Sequence, residues 1–89
     1  MNARRAARAA EKLARRCYPI LSGQERNVQG AALVDLVAHH LAGHVVVGDE
    51  QATALFREMM LEAFIRAVRG IMPIIDKEDI QPELKRRMQ

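Results

Sequence analysis

The chain has 89 residues, a formal net charge of +3, one cysteine, one tyrosine and two phenylalanines. A chain of this length is near the small end of what folds alone, so we expect residues 1–89 to form one domain with a thin core. No apolar run approaches the roughly 20 residues that cross a bilayer, and the N-terminus lacks the apolar stretch of a secretory signal. These features argue against membrane-spanning and exported classes.

Positive charge is concentrated in the first 17 residues, which contain six basic side chains and one acidic side chain and have a net charge of +5. The remaining 72 residues contain eight basic and ten acidic side chains, for −2. The six basic residues are Arg4, Arg5, Arg8, Lys12, Arg15 and Arg16. Residues 3–17 consist almost entirely of the helix formers Ala, Arg, Lys, Leu and Glu and contain no Gly or Pro, which predicts a basic amphipathic helix.

On a helical wheel, all six basic residues lie on one half of this helix. The opposite half carries a narrow line of Ala6, Ala10, Leu13 and Cys17. The basic half could bind nucleic-acid phosphates, an acidic protein partner or only solvent. An anionic membrane is disfavoured, because an interfacial helix has Leu, Phe or Trp where this line has alanine. Because the single cysteine, Cys17, cannot form an internal disulfide, we expect a reducing compartment and a cytoplasmic protein. Its place on the apolar line indicates an inert side chain.

A long central helix is predicted over residues 28–47. We expect the first helix to end at Tyr18 and Pro19, because proline removes a donor and restricts the residue before it. Ser22 and Glu25 form a capping-box pattern that predicts a short helical turn leading into the central helix. Because residues 28–47 are apolar on several sides, this helix should have neighbours on more than one flank and end between His44 and Val47.

The small-residue side of the central helix carries two polar residues, Asp35 and His39, one turn apart. A carboxylate at this spacing can orient the imidazole, as in a base–orienter pair. Only Ser22 and Thr53 carry an aliphatic hydroxyl, and neither is placed as a nucleophile. We therefore interpret Asp35 and His39 as the polar part of a self-association interface.

A second long helix is predicted over residues 50–69, with Asp49 as its N-cap. Gly70 is expected to end it and Pro73 to prevent its continuation, which leaves residues 71–75 as an apolar linker. Residues 76–79 are expected to cap a last, short helix with Pro82 in its first turn.

Two histidines, His40 and His44, have the i, i+4 spacing of zinc ligands on a helix. The metalloprotease pattern fails, because Leu41 occupies the position of its glutamate. A third ligand would have to come from Glu58, Glu62 or Cys17. The alternative interpretation is two hydrogen-bonded histidines at the edge of a helix, and no metal site is predicted.

The sequence contains none of the other common motifs for DNA reading, cofactor binding or catalysis. Residues 43–49 are too long a connection for a helix-turn-helix DNA reader, and the helix after them is mostly apolar. Phosphate-binding glycine loops, paired cysteines and nucleophile elbows do not occur, so neither a cofactor nor a catalytic site is predicted.

These patterns together predict an all-α fold: a small bundle of two long antiparallel helices, a basic N-terminal helix and a short C-terminal helix, completed by homodimerisation. The predicted function is a non-catalytic interaction or regulatory module. The alternatives are a nucleic-acid-binding accessory protein that uses the six basic residues, and a metal-binding helical protein or metal-dependent enzyme that uses the histidines. The residues predicted to mediate self-association are Leu33, Leu36, Leu41, Phe56, Met60, Phe64, Asp35 and His39.

Overall fold

The computed structural model describes residues 2–89, and these contain helices and short connections but no strand. The elements are α1 (Ala3–Ser22), α2 (Arg26–Ala42), α3 (Glu50–Ile75), a π-helical turn (Asp76–Ile80) and α4 (Gln81–Arg87). The all-α prediction is therefore confirmed. The chain divides into two compact units, Met1–His39 and His40–Gln89. The single domain and the antiparallel packing of the two long helices stay predictions.

Helix α1 continues through Pro19 to Ser22, so the predicted end at Tyr18 and Pro19 is wrong. A proline in the last turn of a helix removes one donor but leaves the residues after it free to adopt the α conformation. The Ser22 hydroxyl donates to the carbonyl oxygen of Pro19 at 3.3 Å. Ser22 thus closes α1 instead of capping the next helix, and the capping-box prediction is also wrong.

The connection between α1 and α2 is held by the side chain of Gln29. Its Nε2 donates to the carbonyl oxygens of Leu21 at 2.7 Å and Gln24 at 3.0 Å. The Leu21 carbonyl oxygen also accepts from the backbone N–H of Gln24 at 3.0 Å, so the Gln29 amide adds side-chain bonds to a turn that the backbone already closes. Gln29 therefore helps to fix the exit of the chain from α1 within the first unit.

Helix α2 ends at Ala42, earlier than the predicted end between His44 and Val47. The three valines at 45–47 lose side-chain rotamer freedom in a helix, which favours the observed non-helical connection. Gly48 has a φ of 80°, a left-handed conformation that suits glycine, and it leads directly to Asp49 at the start of α3.

Helix α3 does not end at Gly70, and the predicted apolar linker at 71–75 is wrong because these residues form its last turns. Gly70 has no positive φ, so it is not a left-handed helix cap. Pro73 lies inside the helix, near its end. As at Pro19, one missing donor does not stop a helix whose flanking residues favour it.

The π-helical turn continues α3 directly into α4. The backbone N–H of Gln81 donates to the carbonyl oxygen of Asp76, five residues earlier, and its side-chain Nε2 reaches the Asp76 carboxylate at 3.2 and 3.3 Å. Pro82 lies in the first turn of α4, as predicted. Residues 76–79 form the π-helical turn itself, so their predicted role as a helix cap is wrong. A widened turn relieves the contact between a proline ring and the carbonyl four residues before it.

Apolar burial is absent from the described part of the chain. No apolar side chain of residues 2–89 is buried, and the one buried residue is Thr53, at 9% exposure. Leu33 and Leu36 of α2, expected to be covered on several flanks, are 47% and 62% exposed. No helix of this part of the chain is long and apolar enough to cross a bilayer.

Replacement of Gly70 by alanine tests the continuity of α3. A Cβ at Gly70 would meet nothing within 4 Å. In a helix interior, Gly70→Ala should therefore raise the free energy of unfolding by about 0.8–1 kcal/mol, measured by urea denaturation. If α3 ended at Gly70 in a left-handed cap, the same substitution would lower the stability.

Candidate interaction surfaces

The turn before α3 is organised by the hydroxyl group of Thr53. Its Oγ1 accepts from the backbone N–H of Val46 at 2.9 Å and directs its proton to the carbonyl oxygens of Asp49 at 2.9 Å and Val46 at 3.2 Å. The first of these bonds gives the Val46 N–H a partner, while the Val46 carbonyl oxygen also accepts from the backbone N–H of Asp49 at 3.1 Å. The polar centre of the second unit is therefore a single threonine, and nothing in its sequence pattern except its position four residues after Asp49 indicates it.

Polar side chains bond to the backbone on both sides of this turn, at the start of α3 and at the end of α2. The Asp49 carboxylate accepts from the backbone N–H of Ala52 at 2.9 Å and caps α3, as predicted. The Arg57 guanidinium donates to the carbonyl oxygen of Ala42, the last residue of α2, at 2.6 Å. A cation at a helix C-terminus also offsets the negative end of the helix dipole. Arg57 was not predicted to have this role, because fifteen residues separate it from its partner.

His44 packs between two other rings. The centroid of its ring lies 5.0 Å from that of the His40 ring and 5.1 Å from that of the Phe56 ring, and both pairs have edge-to-face geometry. Its Nδ1 donates to the carbonyl oxygens of His40 at 3.0 Å and Leu41 at 3.3 Å. Since a carbonyl oxygen only accepts, Nδ1 carries the proton. The interpretation of hydrogen-bonded histidines at a helix edge therefore describes His44.

A metal site would need a third ligand near His40 and His44. Among residues 2–89, no three His, Cys, Asp or Glu side chains come together in a group that could hold a metal ion. Within the second unit, the structure therefore brings neither Glu58 nor Glu62 to the histidine pair, and Cys17 belongs to the first unit. Cys17 is exposed instead of covered by an apolar face.

Asp35 and His39 come together as their spacing predicts. His39 Nδ1 donates to the backbone carbonyl oxygen of Asp35 at 2.8 Å and lies 3.5 Å from its carboxylate oxygen Oδ2. Both side chains are more than 70% exposed. This exposure leaves the pair available to a partner, and its part in self-association stays a prediction.

An open hollow of about 560 Å³ lies beside the Thr53 turn. Its polar lining consists of Asp49, Glu50, Thr53 and Arg57. Thr53 and Asp49 are already engaged in the turn and Arg57 bonds to Ala42, so these groups hold the backbone and leave few polar atoms for a ligand.

One side of α3 forms an apolar surface that we call the α3 stripe. It consists of residues four and three positions apart on one side of α3, which are Met60, Phe64, Ala67, Ile71 and Ile74. Phe64, Ile71 and Ile74 are 40%, 51% and 54% exposed. The continuation of α3 past Gly70 adds the two isoleucines to the predicted residues Met60 and Phe64. The sequence pattern missed them because Gly70 and Pro73 indicated an earlier helix end.

The other predicted self-association residues lie on both units. Leu33 and Leu36 belong to the first unit, and Leu41 and Phe56 to the second. Phe56 contacts His44, and Leu41 is half-buried.

The six predicted basic residues all lie on α1, and all are exposed. We call them the α1 basic face. Arg15 Nη2 pairs with Glu11 Oε1 at 2.7 Å, which is the one ion pair of this face within residues 2–89. A pair between exposed side chains is weak, so Arg15 remains available to another anion.

Comparison with known proteins gives no family for this chain. It matches no protein-family model, no curated protein and no solved structure.

Substitution of Thr53 by valine tests the role of its hydroxyl group. Thr53→Val keeps the side-chain size but removes the partner of the Val46 backbone, so it should lower the free energy of unfolding by about 1–3 kcal/mol. Amide hydrogen exchange at Val46 should accelerate at the same time. Thr53→Ser keeps the hydroxyl and is the matched control. Equal exchange at Val46 in both variants would contradict this role.

Proposed function

We propose that the chain is a non-catalytic interaction module that functions as a homo-oligomer through its apolar helix surfaces. The observation that carries this proposal is the absence of a buried apolar side chain in residues 2–89. Burial of apolar surface is the dominant favourable contribution to folding and to most protein association. A helical chain without it needs another surface to cover these side chains, and a second copy supplies one.

The α3 stripe is the surface best suited to this role. Its four-three spacing is the pattern by which helices pack side by side. The charged residues of the same stretch, Glu62, Arg66 and Arg69, lie on the opposite side of the helix. Two copies of the stripe can therefore meet without burying a charge or opposing like charges, as a two-fold symmetric interface requires.

The free energy that burial of the α3 stripe, with Val68 and Ile75 beside it, could contribute is comparable with the cost of association. Full burial of a large aliphatic or aromatic side chain stabilises by about 1.5–3 kcal/mol, so a half-exposed one retains about half of that. Five such side chains in each copy would contribute roughly 7–15 kcal/mol, against an association cost of about 4–15 kcal/mol. These side chains are Phe64, Val68, Ile71, Ile74 and Ile75.

Helix α2 provides further apolar surface to the proposed assembly. Leu33 and Leu36 are exposed there, and the Asp35–His39 pair is on the same helix. Coverage of α2 in the oligomer would satisfy the expectation that it has neighbours on several flanks. It would also add to the apolar area buried on association.

A charge placed on the stripe should disrupt self-association. Ile71→Glu should weaken it by at least about 100-fold, because each dimer would lose two apolar contacts and bury two carboxylates. Sedimentation equilibrium measures the change. Leu55→Glu is the matched control: Leu55 is 67% exposed on the opposite side of α3 and should tolerate the same charge.

Two results would contradict the proposal. One is a wild-type chain that stays folded and monomeric at high concentration. The other is equal weakening by Ile71→Glu and Leu55→Glu, since this would show that the stripe has no special part in the contact. Circular dichroism of both variants separates loss of association from loss of helix.

A further inference from the structure

The α1 basic face is not part of the proposed self-association surface, and its charges are regularly arranged. At 100° per residue, its six cations fall within an arc of about 120°, and the first and last are about 18 Å apart along the helix. Arg4, Arg8, Lys12 and Arg16 follow one another at intervals of about 6 Å. The result is a continuous row of positive charge on a single rigid element.

Little in the described chain neutralises this row. Its side chains are exposed, and within residues 2–89 Glu11 is the one acidic group paired with any of them. Closely spaced like charges raise the local potential, which attracts an extended polyanion more strongly than a single acid. The row therefore fits a partner whose negative charges are themselves regularly spaced.

We propose that the α1 basic face binds the phosphate backbone of double-stranded DNA without reading its sequence. Five of the six cations are arginines, whose planar guanidinium groups bind phosphate oxygens in pairs. No aromatic side chain lies within the arc, so the bases of a single strand have no stacking platform. No Asn or Gln lies within the arc either, so adenine edges have no bidentate reader, and the regular row of cations matches the spacing of phosphates along a backbone.

The opposite side of α1 argues against an anionic membrane. It presents Ala6 and Ala10 over its first half, and its larger exposed apolar residues, Leu13 and Ile20, lie only in its second half. Alanine buries too little area to hold a helix in the lipid interface. The DNA proposal is independent of the self-association proposal, because it uses α1 and not the α3 stripe.

The test is fluorescence anisotropy of the full chain with a labelled duplex of about 20 base pairs of arbitrary sequence. Neutralising five or six phosphates predicts that affinity falls about 10³-fold between 50 and 200 mM salt. The triple variant Arg4→Gln, Arg8→Gln, Lys12→Gln keeps three of the cations, so its affinity should fall only about 40-fold over the same range.

A second triple variant is the matched control. Arg66→Gln, Arg69→Gln, Lys77→Gln removes the same total charge outside α1 and should keep the wild-type salt dependence. Equal effects of the two triple variants would overturn the proposal, since net charge alone would then explain binding.

Three further results would also overturn it. These are no detectable binding at low salt, tighter binding of a single strand of the same length, and displacement of the duplex by an equal concentration of polyglutamate. The last result would identify an acidic protein as the partner. Circular dichroism of both triple variants confirms that α1 is still helical when binding is compared.

Discussion

The structure depends on one constraint, which is that α3, the π-helical turn and α4 form an almost unbroken helical stretch with few neighbours in their own unit. Apart from two C-terminal residues, only residues 40–49 of that unit lie outside the stretch. Ten residues cannot cover both sides of so long a helix. Its beginning is held by polar bonds from Thr53 and Arg57, whereas its later turns expose Phe64, Ile71 and Ile74. Polar bonds orient the chain, and we propose that a second copy provides the apolar burial that this unit lacks.

The two proposed surfaces differ in the physics of their partners. The α3 stripe is apolar and free of charge, so its natural partner is another apolar helix, and its contact should depend weakly on salt. The α1 basic face is charged and exposed, so its proposed partner is a polyanion, and salt should weaken this contact steeply. Because they lie on different helices, one chain could use both. A self-associated chain would then present two or more basic faces to one duplex and bind it more tightly through multivalency.

The presence of the helices was predictable from the sequence, but several of their ends were not. Ala-rich and amphipathic stretches predicted helices at α1, α2 and α3, and Asp49 predicted the start of α3. Pro19, Gly70 and Pro73 indicated ends that the structure does not have, because each weakens a helix locally while its neighbours still favour one. The Thr53 and Arg57 contacts were not predictable, since they join residues seven to fifteen positions apart across a turn whose geometry is set by folding. The Asp35–His39 pair was predictable because it follows from helical spacing alone.

The most direct test of the central claim is the thermal stability of the wild-type chain as a function of its concentration. If the exposed apolar side chains are covered by other copies, the midpoint of unfolding should rise with protein concentration, because mass action favours the folded oligomer. A midpoint that stays constant over a hundredfold dilution, with a monomeric mass throughout, would contradict the account. It would show that the chain is stable without a partner for the α3 stripe.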